Sequence, residues 1–502
     1  FPDFKNLDFS VEQQKNREYE DYSTNVALQI SKTLGSQPRE IAEKIISEIK
    51  SNFIEKMEVA DPGFINFFVS DKYIQKQIKE IIKQKNKFGS LKNKKESLNI
   101  EFISANPTGP LTLGNGRGGF CGDVLANVMK KAGYKTTKEY YINDTGEQIK
   151  KLGHSVIGDS QAVYKGDYIE DLRKKINSKD AEKAGQKAAS IILKEMIIPS
   201  VKKMGIDFDV WFSEMELHKN KEVQKAIDML INKNFTYEKD GALWFKSAQF
   251  GDDKDRVLIK ENGEKTYFAS DVAYLLNKFN RKFRKLILFV GADHYGYINR
   301  LKAATEAVGK KKEDIHVITM QLVKLFRDGE EVKMSKRAGV YITLDELIEE
   351  VGPDVARFFF LTRAPENHLN FDMNLAKEQS KKNPVFYIQY AYARISSIIK
   401  NSKIKWRNAN LGLLKHKTEL TLIKQLIRFP EIIEDISKDY QVQKITQYAV
   451  DLSDSFHKFY ENCHVISEDK DLSKARLSLI FASKIVFKNV FDLSGIRALE
   501  KM

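Results

Sequence analysis

Five consecutive apolar residues, Leu286–Val290 (LILFV), stop abruptly at Gly291–Ala292–Asp293–His294. A run without alternation suits a strand buried on both faces, and such strands belong to parallel sheets covered by helices. The neighbouring sequence alternates to match. Leu98–Ile103 is expected to be a strand entering a Pro/Gly-rich turn, and Gly119–Lys131 a helix with Phe120, Val124 and Val128 on one face. Asp314–Met320 is a further strand candidate before the polar loop Arg327–Gly339. The fold class is therefore α/β. In open sheets of this kind ligands bind beyond the carboxyl ends of strands, where Gly-, Pro- and Lys-rich loops occur here.

The two ends of the chain differ from this centre. Val26, Ile30 and Leu34, then Ile41, Ile45 and Ile49, fall at helical spacing around a Gly–Ser–Gln–Pro break, and Gly63–Val69 reads as a strand. The polar, lysine-rich stretch Lys83–Ser97 reads as a linker. From about Lys377 strand signals cease, and Tyr387–Lys400, Leu413–Arg428, Tyr440–Tyr460 and Leu472–Leu493 read as amphipathic helices. With 502 residues the chain has room for about three domains, expected at 1–95 (α+β), 96–376 (α/β) and 377–502 (all-α).

Charge points to a polyanionic partner. The net charge is +14, and Lys381–Met502 alone holds 21 basic against 13 acidic residues. A lysine-rich solvated surface accounts for such a balance equally well. No apolar run approaches the roughly 18 residues of a membrane span, and the opening residues lack a secretory apolar region, so a cytoplasmic protein without membrane contact is expected. Cys121 and Cys463 are too few for a disulfide framework or a thiolate zinc site.

Four stretches carry candidate chemistry. Glu101–Gly122 (EFISANPTGPLTLGNGRGGFCG) sets six glycines between a strand and a helix, which lets backbone approach an anion closely. Its Gly114, Gly116, Gly118 and Gly119 do not fit the dinucleotide fingerprint, and a tight structural turn is the competing reading. Lys333–Met334–Ser335–Lys336–Arg337 places two lysines around a small hydroxyl, which suits departing phosphates; alone it would be a solvated surface. Gly291–Tyr297 (GADHYGY) offers Asp293 to ribose hydroxyls and His294 to a nucleotide, or Asp293 simply caps a helix. Tyr267 and Asp271 share one face if their segment is helical, and a phenol with a carboxylate suits a guanidinium.

SANPTGPL with the Gly-rich stretch and Arg117, together with KMSKR, resembles the arginyl-tRNA synthetases, a class I family, in their bacterial form. The resemblance extends from Asp21–Lys44 and Asp61–Val69 through Val351–Phe360 and His368–Pro384 to Gly495–Met502. It implies a Rossmann-like parallel-sheet catalytic domain, an N-terminal α+β domain that meets tRNA and a helical anticodon-binding domain. It further implies arginine–tRNA ligase activity with ATP as substrate together with Mg2+, no zinc, tRNA(Arg) as partner and a monomeric chain.

By the same resemblance Glu101, Ser104, Asn106, Tyr267 and Asp271 bind arginine. Pro110, Gly114, Gly116, Gly291, Asp293, His294, Met334 and Ser335 bind ATP, with Lys333 and Lys336 catalytic. Thr112–Leu113–Gly114–Asn115 stands where the family has the HIGH tetrapeptide. Both histidines are replaced, so Thr112 and Asn115 are expected to supply neutral hydrogen bonds to the phosphates. Two other readings stay open: an RNA-binding paralogue without adenylation activity, and a related enzyme of the same class for another substrate.

Overall fold

The structure, a computed structural model, describes residues 7, 9–13, 21–292, 296–332 and 342–502. Its centre is a five-stranded parallel sheet made of β1 (Ser97–Glu101), β2 (Lys135–Ile142), β3 (Val210–Ser213), β4 (Lys285–Gly291) and β5 (Ile315–Met320), in the order β5-β4-β1-β2-β3. The apolar run of β4 is paired on both edges, Leu286 opposite Asn99 and Ile315, and is buried as its composition requires. Strand order reverses between β1 and β4, and β4 runs three residues past the last pair, Leu288 with Glu101. This step at the carboxyl edge opens the crevice in which doubly wound sheets bind ligands.

The glycine-rich stretch is helix rather than turn. Helix α1 spans Leu113–Lys131 and starts six residues before the sequence reading placed it. Thr112 caps it, with Asn115 Oδ1 accepting from the Thr112 backbone N–H at 3.0 Å and from the hydroxyl at 2.8 Å. Five glycines in a helix are unfavourable by propensity; close packing offsets that cost. A Cβ at Gly116 would sit 2.4 Å from Leu344, one at Gly119 2.5 Å from Met204, and one at Gly122 2.3 Å from Phe102.

The N-terminal part forms an antiparallel sheet in the order Val11–Gln13, Tyr22–Thr24, Phe64–Val69, Ile54–Ala60, packed by helices Val26–Leu34 and Pro38–Glu48. The break between those helices falls at the Gly–Ser–Gln–Pro segment, with Gly35 left-handed and Pro38 in the first turn. Helix Asp71–Gln84 then buries Ile74, Ile78 and Ile81 against helices Lys417–Ile427 and Lys470–Ser494, so the lysine-rich stretch begins inside a packed helix. Tyr22 donates to Glu431 at 2.6 Å and Lys424 pairs with Asp21 at 2.6 Å, which fixes the small sheet on the helical part. The carboxyl-terminal quarter, from Lys377 on, is helical as expected, with one further helix, Phe429–Asp439, in the segment between two of those read from the sequence.

Candidate functional site

A cavity of about 1500 Å³ occupies the crevice at the carboxyl edge of β1 and β4, larger than a single small ligand requires. Beyond β1 the chain takes positive φ at both Ile103 (65°) and Ser104 (38°). For a β-branched residue this conformation is strained and must be imposed by its surroundings. Those surroundings are specific: the Tyr141 backbone N–H donates to Ser104 Oγ at 3.1 Å, the Tyr140 hydroxyl donates to the Ala105 carbonyl at 2.9 Å, and Tyr168 donates to the Thr108 carbonyl at 3.0 Å. The loop so held brings Glu101, Ser104, Asn106 and Pro110 to the cavity wall.

Helix α1 contributes two different faces. Gly114 and Gly118 line the cavity, and no Cβ placed at either would meet an atom closer than 3.9 Å. Gly116 is not among the cavity-lining residues, and its missing side chain admits Leu344. Thr112 spends its hydroxyl hydrogen on Asn115 Oδ1. The Asn115 amide nitrogen is thereby turned away from the cap, and Asn115 lines the cavity.

Opposite them lies helix α2 (Tyr267–Asn280), capped by Thr266. Its N-terminus meets the carboxyl edge, so Tyr267, Asp271, Tyr274 and Lys278 project from one face into the cavity wall. The shared face expected of Tyr267 and Asp271 is present. The Tyr267 hydroxyl accepts from the Glu147 N–H at 3.1 Å. Asp271 accepts a hydrogen bond from the Tyr297 hydroxyl, and burial, with Glu214 and Glu101 nearby, pushes its carboxyl up to about 7 despite Arg300.

Charge around the cavity is arranged in two groups. Deeper in, Glu139 is clamped by Arg281 at 2.6 and 2.8 Å, by Asn99 at 2.9 Å and by the Tyr274 hydroxyl. Lys278, fully buried, pairs with Glu101 and lies 4.0 Å from Glu139. On the cavity wall, Glu214 is buried with neutral or weak partners: the Asn143 amide at 2.9 Å in its satisfied orientation, and His218 at 3.7 Å. Of the charged side chains that line the cavity, Glu101, Glu214 and Asp271 are equal in number to Lys165, Lys278 and Arg300. Lys278 is taken by Glu101, and among the described residues neither Glu214 nor Asp271 has a Lys or Arg within ion-pair distance.

Sequence reasoning did not find Glu214, Asn143, Tyr141, Tyr297, Arg300 or Lys278. Glu214 directly follows β3, and the rule that ligands collect beyond strand ends was a usable signal for it. Lys278 was legible only as one more residue on the Tyr267–Asp271 face. Gly291 lines the cavity. Asp293, His294, Lys333, Met334, Ser335 and Lys336 lie outside the described residues. The ends of the chain that flank them, Ala292 and Ile342, both line the cavity.

The chain matches three family descriptions in succession: "Arginyl tRNA synthetase N terminal domain" over residues 1–69, "tRNA synthetases class I (R), catalytic domain" over 77–358 and "DALR anticodon binding domain" over 388–502. It is 43% identical to the arginine–tRNA ligase of Caldanaerobacter subterraneus and 41% identical to that of Carboxydothermus hydrogenoformans, in each case over 99% of this chain and 94% of the relative. Its fold is similar to that of the arginyl-tRNA synthetase of Thermus thermophilus, with a TM-score of 0.81 at 20% identity, covering 98% of this chain and 96% of the other.

Proposed function

The chain belongs to the arginyl-tRNA synthetases and is an arginine–tRNA ligase, and from that premise we propose how its residues divide the reaction. The observation that supports the arginine site is the pair of cavity carboxylates, Asp271 and Glu214, without a Lys or Arg in ion-pair contact among the described residues. An arginine guanidinium entering between Asp271 and Glu214 gives both carboxylates a planar, multiply donating partner. Tyr267 and Tyr297 border the same space, Glu101 is held in place by Lys278, and Ser104 and Asn106 present polar atoms to the backbone end of the amino acid.

ATP, with Mg2+ as its counter-ion, lies along the open face of α1 at Gly114 and Gly118, against Pro110 and Gly291, with Asp293, His294, Met334 and Ser335 completing its contacts. An oxygen of the arginine carboxylate attacks the α-phosphorus; the bond to the bridging oxygen breaks and pyrophosphate leaves. Lys333 and Lys336 neutralise the departing charge, and Asn115, oriented by Thr112, donates to the phosphates. The 2′- or 3′-hydroxyl of the terminal tRNA adenosine then attacks the carbonyl carbon of the arginyl-adenylate and AMP leaves. Positioning and fixed charges do the work, with no side chain in the role of general base. Within residues 1–95 the amino-terminal sheet and its two helices carry the tRNA together with the basic helices of 377–502, and the enzyme acts as a cytoplasmic monomer.

Arginine-dependent ATP–pyrophosphate exchange, measured with tRNA(Arg) present, tests the reading. Exchange with arginine and none with lysine is the expected result. A folded protein that binds tRNA but gives no exchange would make the chain an RNA-binding paralogue, with Thr112 and Asn115 as the seat of the loss.

A further inference from the structure

The opposite edge of the same sheet carries most of the chain's excess charge. The segments that lead into β1, β2, β4 and β5 are residues 83–97, 130–135, 281–285 and 310–314. Together they hold sixteen Lys and Arg against three Asp and Glu, a net +13 where the whole chain has +14. In the sequence the segments are scattered, and none is exceptional alone. The parallel sheet brings them side by side, because adjacent strands lie about 4.8 Å apart and all start at one edge.

Hydrogen bonds tie the segments into one surface. The Leu91 N–H donates to the Lys131 carbonyl, the Lys94 N–H to the Gly133 carbonyl and the Lys135 N–H to the Glu96 carbonyl, while the Ser97 hydroxyl donates to the Lys282 carbonyl. A second cavity, about 260 Å³, opens within the surface and is lined by Ser90, Asn93, Lys130, Lys131, Tyr134 and Lys135, among others. Lys131 is half-buried there, donating to the Asn86 carbonyl at 2.6 Å.

Most of these cations are not neutralised by the protein. Arg281 is engaged by Glu139, Arg284 by Asp314 and Lys312 by Glu306. Among the described residues, Lys85, Lys87, Lys92, Lys94, Lys95, Lys130, Lys131, Lys135, Lys282, Lys285, Lys310 and Lys311 have no carboxylate within ion-pair distance, whereas lysines elsewhere in the chain commonly do. The band ends at β3, which is preceded by Asp207 and Asp209. No exposed large apolar side chain lies in it, so it lacks the anchor with which a surface inserts into a lipid boundary.

We propose that the amino edge of the catalytic sheet is a second RNA-binding surface, which holds the phosphate backbone of an RNA strand other than the tRNA being charged. The site stands one strand-length away from the reaction cavity, across a sheet whose five-residue β1 spans roughly 17 Å. An RNA strand on this edge therefore leaves the cavity open. Recognition is by charge alone, so binding is sequence-tolerant and steeply dependent on salt.

The test uses the full chain and a fluorescent 20-nucleotide poly(U) with a blocked 3′ end, titrated in the presence of saturating tRNA(Arg). The perturbed protein carries Lys130→Gln, Lys135→Gln, Lys282→Gln and Lys311→Gln, all exposed positions away from the reaction cavity. The wild type should bind poly(U) with tRNA in place. The variant should bind at least about tenfold more weakly near 0.1 M salt, with a log–log salt slope shallower by about 3, since each lost contact to a single strand removes about 0.7. Aminoacylation kcat/KM should stay unchanged. Two paired variants, Lys130→Gln with Lys135→Gln and Lys282→Gln with Lys311→Gln, should each give about half the slope change and serve if the fourfold variant melts early. The proposal is overturned if tRNA(Arg) displaces poly(U), if the variants keep the wild-type slope, or if vesicles of anionic lipid bind through these lysines and poly(U) does not.

Discussion

Replacing Asp271 with Asn should make the free enzyme more stable while it loses its amino acid. The Asp271 carboxyl is pushed up to about 7, from an unperturbed 3.8, chiefly by burial and then by Glu214 and Glu101. An acid whose pKa rises on folding binds its proton more tightly in the folded chain. It therefore draws on stability as pH climbs from about 4 to about 7, and the full cost persists above that. Three units correspond to at most about 4 kcal/mol at pH 8, and less to the extent that solvent in the cavity screens the charge. Asparagine removes that charge with little change of shape. If the chain melts as one unit, an unfolding entropy of about 2.1 cal/mol/K per residue over 502 residues turns 4 kcal/mol into a rise of about 4 °C. The gain should shrink as pH falls from about 7 to about 4 and vanish below that, where Asp271 is protonated in both states.

Binding should move in the other direction. Loss of a charge-assisted pairing of about 1.5–3 kcal/mol weakens arginine by about ten- to a hundredfold. The same pKa requires that arginine affinity in the wild type fall about tenfold per unit below pH 7, because the guanidinium must displace the proton. At pH 6.5 about three-quarters of a proton should be released per arginine bound, measurable by calorimetry in two buffers of different ionisation enthalpy. Melting curves of wild type and variant at pH 5 and pH 8 complete the set. A variant that is less stable at pH 8, together with pH-independent arginine binding, would refute the reasoning, since Asp271 would then be satisfied within the protein.

Glu214→Gln should raise the KM for arginine with little change in kcat, and an unchanged KM would remove Glu214 from the guanidinium site. Asn115→Ala should lower the single-turnover rate of adenylate formation while barely moving the KM for arginine. Thr112→Ala should lower the rate less and also cost about 0.5–2 kcal/mol as a lost helix cap; full rates in both would mean that the pair only shapes the start of α1. Arg357→Met, which leaves Asp123 to Lys138 alone and frees the Ser494 and Met204 carbonyls, should destabilise the fold by about 1–3 kcal/mol, read by denaturant titration; an unchanged stability would show the Arg357 contacts to be dispensable. Affinity for tRNA should fall steeply with salt, about 0.7–0.9 in log–log slope per phosphate contact, and a flat titration would remove the basic helices from the interface.

Local pattern was enough to make the architecture legible. The unbroken run Leu286–Val290 can only be buried on both faces, the Gly–Ser–Gln–Pro break can only end one helix and start another, and the periodic segments after Lys377 have one apolar face each. The spacing of Tyr267 and Asp271 likewise determined that they share a face once their segment was helical. Propensity misled at Leu113–Lys131, because glycines that disfavour a helix locally are what let this one approach Leu344, Met204 and Phe102. That trade is made with residues up to 230 positions away and is invisible in any window of sequence.

The same limit applies to charge. Sequence determined how many carboxylates and lysines the chain has, and which of them sit beside recognisable motifs. Only the tertiary structure decided which charges are cancelled. Glu101 meets Lys278, 177 residues away, and Glu139 meets Arg281, 142 away, while among the described residues Asp271 and Glu214 on the cavity wall have no Lys or Arg in ion-pair contact. Four unremarkable lysine-bearing turns become one surface because the strands they precede are parallel and adjacent. A Coulomb interaction depends on distance and on burial, and neither is a property of order along the chain.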